Sequence, residues 1–158
     1  MKLLNLIAAA AIVASLGSCA GKQSTETAEN TETTTPQTTL KAPEFQAGVV
    51  NELEDADLIQ PGTPVNKLTV IDFNAVWCGP CRQLTPVLEE MAKKYDGKVD
   101  FVSVDVDKFG NLFEAYNLGT SIPAVLILSP EGKSVSYIGT GDLLPADKFE
   151  AIIDNLLK

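Results

Sequence analysis

From about residue 48 onward the chain alternates between short, densely apolar runs and longer stretches in which apolar residues recur every three or four positions. The first kind suits strands inside a sheet; the second suits helices lying on its faces. Val49 and Val50 read as a short opening strand, and residues 52–59 as a brief helix ended by Gln60-Pro61-Gly62. Leu68-Thr69-Val70-Ile71-Asp72-Phe73 then leads to Ala75 almost without a polar break, which fits a strand covered on both sides. Over residues 82–95, Leu84, Val87, Leu88 and Met91 fall at helical spacing, with Glu89, Glu90, Lys93 and Lys94 elsewhere on the surface. Pro86 lies inside this helix, removes one backbone bond and is expected to kink it.

Asp96-Gly97 turns the chain, alternation over residues 99–106 predicts the next strand, and residues 108–116 predict a short helix carrying Leu112, Phe113 and Tyr116. Ala124-Val125-Leu126-Ile127-Leu128 is another buried run. Pro130-Glu131-Gly132-Lys133 forms a hairpin turn from which residues 134–138 return as an edge strand. Residues 145–157 close the domain as an amphipathic helix with Phe149, Ile152, Ile153 and Leu156 facing inward. The pattern defines an α/β domain over residues 48–158, with about four or five strands and about four helices.

Composition changes the picture ahead of that domain. Met1-Lys2 and the apolar run from Leu3 to Ala14, too short to span a bilayer comfortably, read as an export signal over residues 1–18. Leu16-Gly17-Ser18-Cys19 resembles the lipobox of bacterial lipoproteins, which implies cleavage before Cys19 and a diacylglycerol on its sulfur. An ordinary secreted chain with a spare cysteine is the alternative. Residues 19–47 continue from that cysteine as a Ser-, Thr-, Gln-, Glu- and Pro-rich stretch that buries too little apolar area to fold and reads as a tether reaching roughly 30 Å. The protein is thus expected to be anchored on the periplasmic side of a bacterial membrane through lipid alone. A formal charge of −9 and a pI near 4.4 argue against nucleic-acid binding, and the 45% hydrophobic content is ample for one core.

Chemistry concentrates at Ala75-Val76-Trp77-Cys78-Gly79-Pro80-Cys81-Arg82. Two cysteines separated by two residues, where a strand pattern yields to a helix pattern, bring two sulfurs together on a first helical turn. The helix N-terminus should lower the thiol pKa of Cys78 and make it a nucleophile toward disulfides. Pro80 suits a first turn, and Gly79 leaves the adjacent face open to a substrate backbone. A zinc site would need about four Cys or His ligands; three cysteines and no histidine supply too few. A purely structural bridge closing so small a ring contributes little stability. Neither a metal nor a bound cofactor is called for. Asp72 interrupts the central strand, where a buried carboxylate lacking a partner should carry a raised pKa; satisfying nearby backbone or water is its bland role.

With Trp77-Cys78-Gly79-Pro80-Cys81 in full, the domain resembles the thioredoxins, which implies their fold: a central mixed sheet of four or five strands flanked by about four helices. That resemblance implies a disulfide between Cys78 and Cys81, with Cys81 resolving the mixed disulfide that Cys78 forms and Asp72 relaying the proton. It also implies a cis peptide at Ile122-Pro123 facing the cysteines, Gly139 close by, and a substrate platform made of Trp77, Gly79, Pro80, Ile122 and Pro123. Two departures stand out: Asn74 replaces a common aromatic residue, and Ser103 replaces a lysine that often pairs with the strand Asp, so Asp72 should be harder to ionise. Arg82 could favour the thiolate or be only a solvated surface group. The expected activity is reduction of protein disulfides in the exported compartment. Oxidase or isomerase activity, or a non-catalytic binding role, are the alternatives. Gly-Pro between the cysteines favours reduction by resemblance, since oxidases and isomerases of the fold usually carry a histidine there. Expected partners are disulfide-containing exported proteins and a transmembrane thiol donor, met by a monomer.

Overall fold

The computed structural model describes residues 41–158; the expected export signal, Cys19 and most of the expected tether lie outside the described residues. Five strands form one sheet in the order β1-β3-β2-β4-β5. They are β1 (Val50–Glu52), β2 (Leu68–Asn74), β3 (Val99–Asp105), β4 (Ala124–Leu128) and β5 (Ser134–Ile138), joined or followed by the helices α1 (Gly79–Lys94), α2 (Val106–Ala115) and α3 (Ala146–Leu156). β2 lies at the centre, parallel to β3 and antiparallel to β4. The mixed α/β architecture that the resemblance implies is the one observed.

Strand alternation sends successive residues to opposite faces and so builds two cores. Val70, Phe101, Val125 and Ile127 pack with Leu84, Leu88 and Met91 of α1 and with Phe149 and Ile153 of α3. On the other face Ile71, Phe73, Val102 and Val104 pack with Leu112 and Phe113 of α2. Asp72, two residues beyond Val70, therefore belongs to the α1 face, and Asn74 shares it.

Several local expectations need correction. Only Ala56–Ile59 is helical between β1 and β2, as a 3-10 turn begun where the Asp55 side chain accepts from the Asp57 N–H; Glu52 belongs to the strand and Val49 precedes it. β3 is not half exposed, for α helices cover both faces and even Asp100 and Ser103 are buried. Leu156 is exposed at 39%, because the last turn of α3 runs past the edge of the core. α1 starts at Gly79, ahead of the predicted start, and continues as one helix through Pro86.

Candidate active site

β2 ends at Asn74, a short loop carries Val76 and Trp77, and Cys78 becomes the N-cap residue of α1. Pro80 sits in the first turn, where its missing N–H costs no helical bond, and Lys93 and Lys94 complement the dipole in the last turn. Cys78 and Cys81 are joined by a disulfide with Cα atoms 5.3 Å apart. Cys78 Sγ also accepts from the backbone N–H of Cys81 at 3.2 Å, which directs a free helix-end donor at the first sulfur. Arg82 donates through Nη1 to the Val76 carbonyl at 3.2 Å, tying the exposed loop to the helix.

Both cysteines are buried, whereas Val76 and Trp77 are 81% and 64% exposed. The sulfur pair thus lies beside an apolar shelf. Ala75, Cys78 and Cys81 form one cluster, flanked by Val106 and by Ile122 from the facing loop. The Ile122-Pro123 peptide is cis, and the Pro123 carbonyl accepts from the Gly139 N–H at 2.8 Å. So the structure brings Ile122, and behind it Pro123 and Gly139, to the cysteine end of the sheet. A β-carbon built at Gly79 would meet nothing closer than the Arg82 side chain at 3.9 Å. Nothing among the described residues crowds the glycine, and its face is open.

Asp72 is 3% exposed and faces α1 from the middle of the sheet. Asn74 donates through Nδ2 to Asp72 Oδ2 at 3.1 Å and to Ser103 Oγ at 2.9 Å. The other carboxylate oxygen, Oδ1, is buried with no hydrogen-bond partner among the described residues. Burial pushes the Asp72 pKa from 3.8 up to about 7, the Asn74 bond opposes the rise, and the Glu52 carboxylate adds to it. Thr85, one turn beyond Cys81, donates to the Cys81 carbonyl at 3.1 Å and lines the same cavity as Asp72. Residues four apart share a helix face, so the side of α1 that bears Cys81 looks toward this carboxyl.

The two departures read from the sequence thus meet in space: Asn74 and Ser103 make one polar unit with Asp72. The i, i+2 spacing of Asp72 and Asn74 already carried the signal, since both must point to one face of β2. Two further residues were not foreseen. Trp77 Nε1 donates to Asp107 Oδ2 at 2.8 Å, which holds the exposed indole against the start of α2. Glu52 lines the Asp72 cavity from β1. Nothing in local sequence links either residue to the cysteines.

This sheet order, with a dithiol pair at the head of α1 opposite a cis-proline loop, is the thioredoxin fold. A thioredoxin from Halobacterium salinarum superimposes with a TM-score of 0.60 at 24% identity, covering 73% of this chain and 97% of that one. Chloroplastic thioredoxin z gives 0.58 at 26% identity, covering 68% and 94%. The thioredoxin family model matches residues 49–155. Thioredoxin C-2 of Corynebacterium nephridii is 36% identical over 113 residues, 70% of this chain and 97% of the relative. A thioredoxin of Borreliella burgdorferi is 40% identical over 84 residues, 53% of this chain and 68% of the relative. The chain belongs to the thioredoxin family, and its paired cysteines are those of a thiol-disulfide oxidoreductase.

Proposed function

We propose that the protein is a reductase of protein disulfides, held outside the cytoplasm by lipid on Cys19. The observation that carries the chemistry is the Cys78–Cys81 bridge at the head of α1, next to the exposed Val76 and Trp77. In the reduced form the Cys78 thiolate attacks a substrate disulfide: a Cys78–substrate bond forms and one substrate sulfur leaves with the electron pair. Cys81 then passes its proton to Asp72 and attacks Cys78, which releases the second substrate sulfur and restores the bridge. A carboxyl titrating near neutrality suits that task, being able both to take and to give up a proton. Trp77, Gly79, Pro80, Ile122 and Pro123 form the platform for an extended substrate segment.

The reducing direction rests on what lies between the cysteines. An oxidant of this type is strong because its reduced, thiolate form is stabilised. Gly79 and Pro80 bring no charge to Cys78, and the chain contains no histidine. The reduced form therefore lacks that extra support and gives up electrons more readily. A transmembrane thiol carrier is the donor that would renew it, and disulfide-containing exported proteins are the substrates.

One experiment in an exporting bacterium tests both parts. Cys81→Ser should trap substrates as mixed disulfides on Cys78, and Cys78→Ser should lose disulfide reduction; recovery of no adduct from the first variant rejects the mechanism. In the same cells Cys19→Ala should move the protein into the soluble fraction, and unchanged membrane association rejects the anchor.

A further inference from the structure

The register of the sheet places Glu52 beside Ser103 and Ser103 beside Asp72, so three polar side chains form a row across β1, β3 and β2. Two strand spacings separate its ends, about 10 Å. Asn74 ties the inner members together, bonding both Asp72 and Ser103. Along this row runs a cavity of about 370 Å³ between β1 and α1. Its lining includes Asp72, Asn74, Ser103 and Glu52 from the sheet, and Thr85, Glu89 and Lys93 from α1. The floor is buried while Glu52, Glu89 and Lys93 are exposed, so the cavity joins the carboxyl to solvent on the side of the sheet edge.

Resolution of a mixed disulfide leaves one proton on Asp72. The Cys81–Cys78 bond has formed, the Cys78–substrate bond has broken, and the substrate sulfur has taken the electron pair. While the protein stays oxidised, Cys81 is held in the disulfide and cannot take that proton back, so any loss of it is to solvent. The cavity opens away from the shelf at Val76 and Trp77, neither of which lines it.

We propose that the proton held by Asp72 leaves through the cavity between β1 and α1, passed by water to the Glu52 carboxylate, with Asn74 as the positioning residue that orients the inner carboxyl. This rests on the reductase reading for its purpose, but the wiring of the row does not. The charged groups that face Asp72 across the cavity are Glu52 from β1 and Glu89 and Lys93 from α1. On β4 its register neighbour is the apolar Val125. Of these groups Glu52 bears on the carboxyl: its negative charge disfavours ionisation of Asp72.

Glu52→Gln in the full-length chain tests the assignment with two readouts. Carboxyl-carbon NMR of the oxidised protein reports the Asp72 midpoint and needs no substrate. Indicator-dye stopped flow reports proton release as the reduced protein is oxidised by a small aromatic disulfide whose leaving thiols stay ionised at neutral pH. The variant should lower the midpoint by about half a pH unit and slow proton release roughly twofold or more. Glu89→Gln, on the other wall, should leave both close to the parent. If Glu52→Gln leaves either readout unmoved, or if Glu89→Gln matches it, the route through Glu52 is overturned. Failure of Cys81→Ser to trap any substrate, with the midpoint shift of Glu52→Gln intact, would reject the reductase reading instead.

Discussion

Two carboxylates are buried in adjacent strands of this sheet, and they are treated in opposite ways. Asp100, near the start of β3, is 4% exposed and lies 3.0 Å from the Lys67 ammonium that precedes β2. Asp72, further along β2, is as deeply buried but meets only the neutral amide of Asn74, with one oxygen left bare. A cation offsets the cost of burying the charge, while an amide offsets only part of it. Asp100 thus anchors the end of the sheet remote from the cysteines, and Asp72 is left poised between its two protonation states toward the end that bears them. Equal burial with unequal partners sets the two carboxylates apart.

The largest effect should come from neutralising the unpaired member. A rise from 3.8 to about 7 corresponds to about 4 kcal/mol of destabilisation once Asp72 is ionised, at about 1.4 kcal/mol per unit. Because the folded-state pKa is raised, that penalty is absent below pH 3.8, grows as pH rises to about 7 and is constant above. Asp72→Asn should therefore be more stable than the parent by several kcal/mol at pH 8, with the gap closing toward pH 4, while resolution of mixed disulfides slows. Urea unfolding at a series of pH values measures it. A gap that does not vary with pH would show that burial leaves the ionisation of Asp72 unopposed.

Removing the partner from the paired member should act in the reverse direction. Lys67→Met leaves Asp100 buried without its cation. The lysine side chain is 35% exposed, so the loss is discounted from the fully buried case to about 2 kcal/mol. Replacing Asp100 by Leu in that background should recover most of the stability, since two apolar groups then fill the site. Urea unfolding at pH 7 decides it, and a single variant as stable as the parent would show that the pair anchors nothing.

This contrast also marks how far the sequence could be read. The cysteine pair, the buried strands and the interruption at Asp72 were visible because each is local: a motif, an apolar run, a carboxylate inside that run. Ser103 and Asn74 were visible only as departures from a pattern. Their bond to one another joins residues on two strands, and only the β2–β3 register brings them together. Glu52 and Asp107 were illegible for the same reason, as each reaches the site across the sheet or from another helix. The short opening helix was overread because its apolar residues do recur at helical spacing. Asp55 begins the turn too late and Gln60-Pro61 ends it too soon for more than Ala56–Ile59 to form.

The smallest effect is the most diagnostic, since it touches Asp72 without changing any charge. Asn74→Ala removes a bond that favours the ionised carboxyl, so the Asp72 midpoint should rise above about 7. At about 1 kcal/mol for such a bond the rise is somewhat under one pH unit. The stability lost to ionisation then extends to higher pH: the variant should fall below the parent by about 1 kcal/mol at pH 9 and approach it at pH 4, where both carry a protonated carboxyl. Asn74 is only half-buried, and packing lost on truncation would lower stability equally at both pH values. Glu52→Gln should move the same midpoint downward. Opposite shifts from an amide and a carboxylate on one cavity would identify Asp72 as the group that both address, and shifts of the same sign would mean that the row from β1 to β2 is not electrically connected as its geometry requires.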